Sequence, residues 1–192
     1  AVMHALAERM ARQRESLECK ERAIDAFNAQ NFRGAVDLLR KAIRLDPENH
    51  VFFSNRAAAF MALEQHEKAL ADADECIRLS PQWAKGHSRR GAALFRQGQL
   101  NGARDAFERG LALDAENAAF VRATRTELQQ VYDAIAQRKE ATLACKERAI
   151  DAFNAQNFRR AEQHLSSAIE LDPENHVFFS NRAAAFMALE QH

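Results

Sequence analysis

"LDPENHVFFSNRAAAF" spans Leu45–Phe60, and its reading decides the fold. Its first five residues recur as LSPQW at Leu79–Trp83 and as LDAEN at Leu113–Asn117, a spacing of 34 residues. A further LDPEN stands at Leu171–Asn175. A period of this length accommodates two helices of about three to four turns each and two short connections. Aligned on Pro47, the repeats run 16–49, 50–83 and 84–117, with another at 142–175 and a half-repeat at 176–192. Pro47, Pro81 and Pro173 follow predicted helix ends, where a residue without an N–H cannot continue the helix. Ala115 takes that place in the third repeat, so a less sharp turn is expected there.

Small residues line up across the repeats. One register holds Ala23, Ala57, Gly91 and Ala149; a second holds Ala35, Ala69, Ala103 and Ala161; a third holds Ala42, Cys76, Gly110 and Ala168. Small side chains at these points let the two helices of a repeat, A and B, approach closely. Phe27, Phe60, Leu94 and Phe153 on the A helices, with Leu39, Phe107 and Leu165 on the B helices, are expected to fill the space between. Period-two alternation never lasts and glycines are few, so no strand pattern competes. The pattern resembles the tetratricopeptide repeat family over residues 16–117 and 142–192. That resemblance implies an all-α fold: a right-handed superhelix of helix–turn–helix units, or α-solenoid.

A longer duplication overlies the short one. Cys19–His66 and Cys145–His192 differ at only seven of 48 positions, all between Gly34/Arg160 and Arg44/Glu170. This clustering indicates that one segment faces different surroundings in each copy. Between the copies, Ala118–Gln156 contains neither Gly nor Pro, and Asn117 suits an N-cap. Val121, Leu128, Val131 and Ile135 recur at helical steps. The expected structure is a capping helix running on into helix A of the fourth repeat, roughly 58 Å long if straight at 1.5 Å per residue. It acts as a cap near Phe120–Ile135 and as a spacer beyond. The expected organisation is therefore a helical extension at 1–15, a three-repeat module at 16–117, a capping and linking helix at 118–141, and the start of a second, incomplete module at 142–192. In the last, the Phe179–Phe186 face has no second helix to cover it, so either the natural chain continues or this face pairs with another chain.

Composition narrows the function. The formal net charge is zero, so no global field draws the chain to nucleic acid or an anionic membrane. No apolar run approaches the ~20 residues of a membrane helix, and the N-terminus lacks the apolar centre of a signal peptide. Cys19, Cys76 and Cys145 do not form a disulfide framework; they read as small core residues in a reducing, cytosolic setting. There is no Gly-rich phosphate loop and no Cys-x-x-Cys. The histidines (His4, His50, His66, His87, His164, His176 and His192) show no metal-binding spacing, and the carboxylates are spread over helix surfaces. No cofactor, metal or enzymatic chemistry is expected within these residues.

One polar set does converge. In a superhelix of helix pairs the A helices line the concave face. Lys20, Asn55, Lys85 and Arg89 all lie on A helices, and Lys85 and Arg89 share a face. Three cations and an amide in one groove suit a carboxylate. The segments SNRAAAF, LADADECIRLSPQWAKGHSRRGAAL and AIRLDPENHVFFSNRAAA resemble the heat-shock organising co-chaperones, the stress-inducible phosphoprotein family. In that family a clamp of Lys, Asn, Asn, Lys and Arg binds the Glu-Glu-Val-Asp terminus of the cytosolic seventy- and ninety-kilodalton heat-shock chaperones. Carried over, the clamp falls on Lys20, Ile24, Asn55, Lys85 and Arg89, with Ile24 as the departure; Ile150 repeats it. In the second copy Lys146 and Asn181 recur without the third-repeat cations. The resemblance implies a cytosolic co-chaperone module. The alternatives are a scaffold for self-association, a groove for a different acidic peptide, and the targeting arm of an enzyme lying outside these residues.

Overall fold

The same few side chains build the turns between repeats. At Asp46–Asn49, Asn49 Oδ1 accepts the backbone N–H of Val51 at 3.2 Å while its Nδ2 donates to Asp46 at 3.3 Å. Asp46 itself closes the preceding helix by donating its N–H to Ala42. One helix thus ends and the next begins on a single Asp/Asn pair, with proline between them. Asp172 and Asn175 repeat the arrangement. In the three proline turns the fourth residue's N–H reaches back to the first residue's carbonyl. Among the described residues that bond is missing at Asp114–Asn117, where alanine replaces proline. Asn117 still caps the next helix through Phe120 N–H at 3.1 Å.

The computed structural model describes residues 2–190; the expectations that fall on residue 1 and on His192 lie outside the described residues. It contains α1 (Val2–Asn28), α2 (Phe32–Leu45), α3 (His50–Ala62), α4 (His66–Leu79), α5 (Ala84–Arg96), α6 (Leu100–Leu113), α7 (Ala118–Asn154), α8 (Phe158–Leu171) and α9 (His176–Glu190). No strand occurs among the described residues. The N-terminal extension and helix A of the first repeat form one helix, α1, and α7 is likewise uninterrupted.

The chain forms two compact units that divide at Val131/Tyr132. In the first, α1 packs on α2, α3 on α4 and α5 on α6, while α2 meets α3 and α4 meets α5. This is the stack of helix pairs expected of an α-solenoid. Ala35, Ala69 and Ala103 are completely enclosed, as are Ala42, Ala57 and Cys76. Gly91 shows how tight the approach is: a β-carbon there would sit 2.9 Å from the ring of Phe107. Leu128 and Val131 of α7 are buried in this unit beside Thr124. In the second unit Ala149 and Ala152 of α7 join Ala161, Leu165 and Ala168 of α8 and Phe178 and Ala185 of α9. Two expected core residues differ. Phe153 is exposed and lines an open hollow (described below), while Phe27 is half-buried, packing on the core around Ala35 and Phe60 and lining a hollow with its free side.

A buried ion pair locks the second repeat. Arg56 donates twice to Asp72, from Nε and from a terminal nitrogen, both at 2.7 Å. Its guanidinium also lies near the rings of Phe53 and Phe60. Burial pushes the Asp72 carboxyl up, opposed by the Arg56 hydrogen bonds. The equivalent Arg182 of α9 lies near Phe179 and bonds Ser166 Oγ instead.

Gly91→Ala is expected to lower unfolding free energy by about 1–3 kcal/mol, the cost of overpacking a filled core. Urea denaturation followed by circular dichroism measures it; a cost near zero would mean that Phe107 does not set the helix separation.

Candidate functional site

The A helices of the three repeats and α7 enclose a cavity of about 420 Å³. Its wall is mostly apolar, Ile24 and Phe27 included, with Asn55, Arg89, Arg96 and Glu127 among its polar groups. Local packing explains how Arg89 comes to be there. Gly86 lies against Cys76 and Ile77, with only 3.1 Å between a hypothetical β-carbon and the Cys76 sulfur, so α5 can lie close on α4. Arg89 follows on α5 by three residues.

Arg89 is the decisive side chain. The residue as a whole is half-buried, but its Nε is enclosed and has no hydrogen-bond partner among the described residues. Burial pulls the guanidinium below its ordinary value, and Glu127 opposes that shift. It stays charged, since an arginine retains its proton in proteins. An enclosed cationic N–H without an acceptor is costly in isolation.

Of the five residues read from the sequence, the structure gathers Ile24, Asn55 and Arg89 on one wall. Lys20 is half-buried and Lys85 exposed; neither lines the cavity itself. Each stands one helical turn before a lining residue, Lys20 before Ile24 and Lys85 before Arg89, so both share that face. Long lysine stems carry their charge outward to water. In the second unit the corresponding hollow is smaller, about 220 Å³, and there Lys146 lines the wall with Ile150, Phe153 and Asn181.

Sequence reasoning missed Glu127, Arg96 and Gln130. Glu127 has a readable signal: it immediately precedes buried Leu128 and lies four residues before buried Val131, at the edge of the face by which α7 packs. Burial pushes its carboxyl up; Arg89, a hydrogen bond from Ser88, and Arg96 pull it back.

The thiols are not part of a reactive site. Burial pushes Cys76 up to about 12, and Cys19 is also enclosed. Among the described residues no three His, Cys, Asp or Glu side chains gather as a metal cluster, and no helix is long and apolar enough to cross a membrane.

Two sequence models described as tetratricopeptide repeat match residues 20–84 and 84–117. Together they span the stack that holds the cavity. The chain belongs to the tetratricopeptide repeat family. Among curated relatives, this repeat chain is 45% identical over 101 residues to the heat shock protein sti1 homolog of Schizosaccharomyces pombe, covering 53% of the chain and 17% of that protein. It is 45% identical over 100 residues to the Hsp70-Hsp90 organizing protein of Triticum aestivum, covering 52% and 17%. The chain therefore spans less than a fifth of those relatives. Among solved structures it superposes on the first repeat domain of Spaghetti (RPAP3), bound to the Hsp90 peptide SRMEEVD, with a TM-score of 0.60 and 31% identity; the match covers 65% of this chain and 95% of that one.

Alkylation of the native protein at mildly basic pH is expected to label the half-buried Cys145 first and to spare Cys19 and Cys76 until unfolding. Mass spectrometry of the digest reads the order; early labelling of Cys76 would show that this thiol is not held as a packing group.

Proposed function

We propose that residues 16–117 form a peptide-binding module that holds the free C-terminus of an acidic chain segment, of the kind that ends cytosolic seventy- and ninety-kilodalton heat-shock chaperones. One observation carries the reading: Arg89, whose enclosed Nε has no hydrogen-bond partner among the described residues, lines the same cavity as Asn55. A terminal carboxylate accepts from both, and Lys20 and Lys85 add point charges one turn outward. The organising co-chaperones among the relatives, and the chaperone peptide bound to the RPAP3 domain, support the same ligand class. In this reading 1–15 is an extension, 118–141 caps and links, and 142–192 begins a second module. The chain acts as a cytosolic adaptor without chemistry of its own.

Ile24 gives the cavity an apolar wall where an amide would donate one more hydrogen bond. A bond to a charged group contributes on the order of 1.5–3 kcal/mol, so binding at this site is weaker by about tenfold or more than with asparagine there. The expected results follow directly. A peptide ending in Glu-Glu-Val-Asp with a free carboxylate binds; its C-terminal amide does not. Arg89→Ala abolishes binding, and Ile24→Asn tightens it by about tenfold. Isothermal titration calorimetry measures all three, and equal affinity for the acid and the amide would overturn the reading.

A further inference from the structure

The peptide-site reading uses the cations and Asn55 but leaves Glu127 without a role, although this carboxylate sits in the same cavity. We propose that Glu127 is the site's internal competitor: it holds the Arg89 and Arg96 charges in the empty cavity, and an incoming carboxylate must contend with it, so Glu127 sets the strength of acidic-peptide binding. The inference rests on the proposed peptide site.

Three observations support it. First, Glu127 is held in place. It belongs to the stretch of α7 that buries Thr124, Leu128 and Val131, and Ser88 of α5 hydrogen-bonds its carboxylate. Its neighbour on the wall, Gln130, lies one turn further along α7. Second, it is close enough to interact with Arg89 yet does not satisfy it. Glu127 offsets the effect of burial on Arg89, but Arg89 Nε remains without an acceptor. The cavity therefore sets a cation and a carboxylate side by side without a complete pairing. Third, the charge balance on the wall is two arginines against one carboxylate. A first incoming carboxylate meets a net positive site; a second meets one already neutralised. Glu127 thus weakens binding and limits how many acidic groups the cavity takes.

The same residue makes the site sensitive to acidity. The groups facing Glu127 are Arg89, Arg96 and Ser88 from α5, Asn55 from α3 and Gln130 from its own helix, with the Cys76 thiol of α4 beside Arg89. Burial raises its carboxyl from its ordinary value, against the pull of Arg89, Ser88 and Arg96. On acidification it therefore takes up a proton ahead of the peptide's carboxylates, whose ordinary values are about 3.3–4.3. The competing charge is then lost while the ligand's charge remains, and binding tightens.

The test compares wild type, Glu127→Gln and Glu127→Ala with the free-acid peptide ending in Glu-Glu-Val-Asp, from neutral pH down to about pH 5.5. Circular dichroism checks that each variant is folded. Histidines are common to all three proteins, so the difference between their pH profiles isolates Glu127. Both variants should bind the peptide about three- to tenfold more tightly at neutral pH, with wild type approaching them on acidification. If wild type binds and the variants bind equally or more weakly, the competitor role is wrong while the peptide site stands. If wild type fails to bind and Glu127→Gln binds, the competitor role holds and wild type is not an acidic-peptide receptor at neutral pH. If none of the three binds, both proposals fall.

Discussion

The stack depends on how closely the two helices of each repeat can approach. Alanine, glycine or cysteine occupies every crossing point, and these residues are essentially removed from solvent. With no side chain in the way, backbones pack at interior density and Leu39, Phe60, Leu94 and Phe107 close the remaining gaps. Everything at the site is downstream of this approach. Gly86 and Gly91 let α5 settle on its neighbours, and that position delivers Arg89 into the cavity. Widening any one crossing would move the arginine relative to Asn55 on the neighbouring A helix.

Much of this is legible in the sequence because it is periodic. The 34-residue spacing, the three registers of small residues and the Asp/Asn turns each repeat, so each copy checks the others. Asn117 could be read as a cap because Asn49 and Asn175 stand in the same place. What sequence reasoning missed occurs once. The Arg56–Asp72 pair joins residues sixteen apart on two helices, and no repetition draws attention to Asp72. Glu127 reaches the cavity from outside the repeats altogether. For Lys20 and Lys85 the sequence places the α-carbon on the shared face, whereas a four-carbon stem decides where the charge ends up. Phe27 and Phe153 lie in a core register by spacing and yet line hollows, because spacing does not show which faces remain open.

The cavity combines two conditions that usually exclude each other. Arg89 carries a charge in a half-buried place, which is costly, and its enclosed Nε lacks a partner among the described residues, which is costly for a polar group. A nearby carboxylate moderates the first cost without removing the second. Ile24 and Phe27 add apolar surface to the same hollow.

The near-identity of the two copies has a consequence for how the polypeptide is made. Helices α2 and α8 present almost the same buried stripe, so each could dock onto the other's A helix while the chain is still folding. Discrimination falls to the few altered positions. Lys41 pairs with Glu15 in the first copy, while Ser167 and Ala141 occupy those places in the second. An exposed pair of this kind separates right from wrong pairing only weakly. Synthesis from the N-terminus supplies the missing selectivity: α1 and α2 emerge and dock before α7 exists, whereas a chain released from denaturant must sort both copies at once.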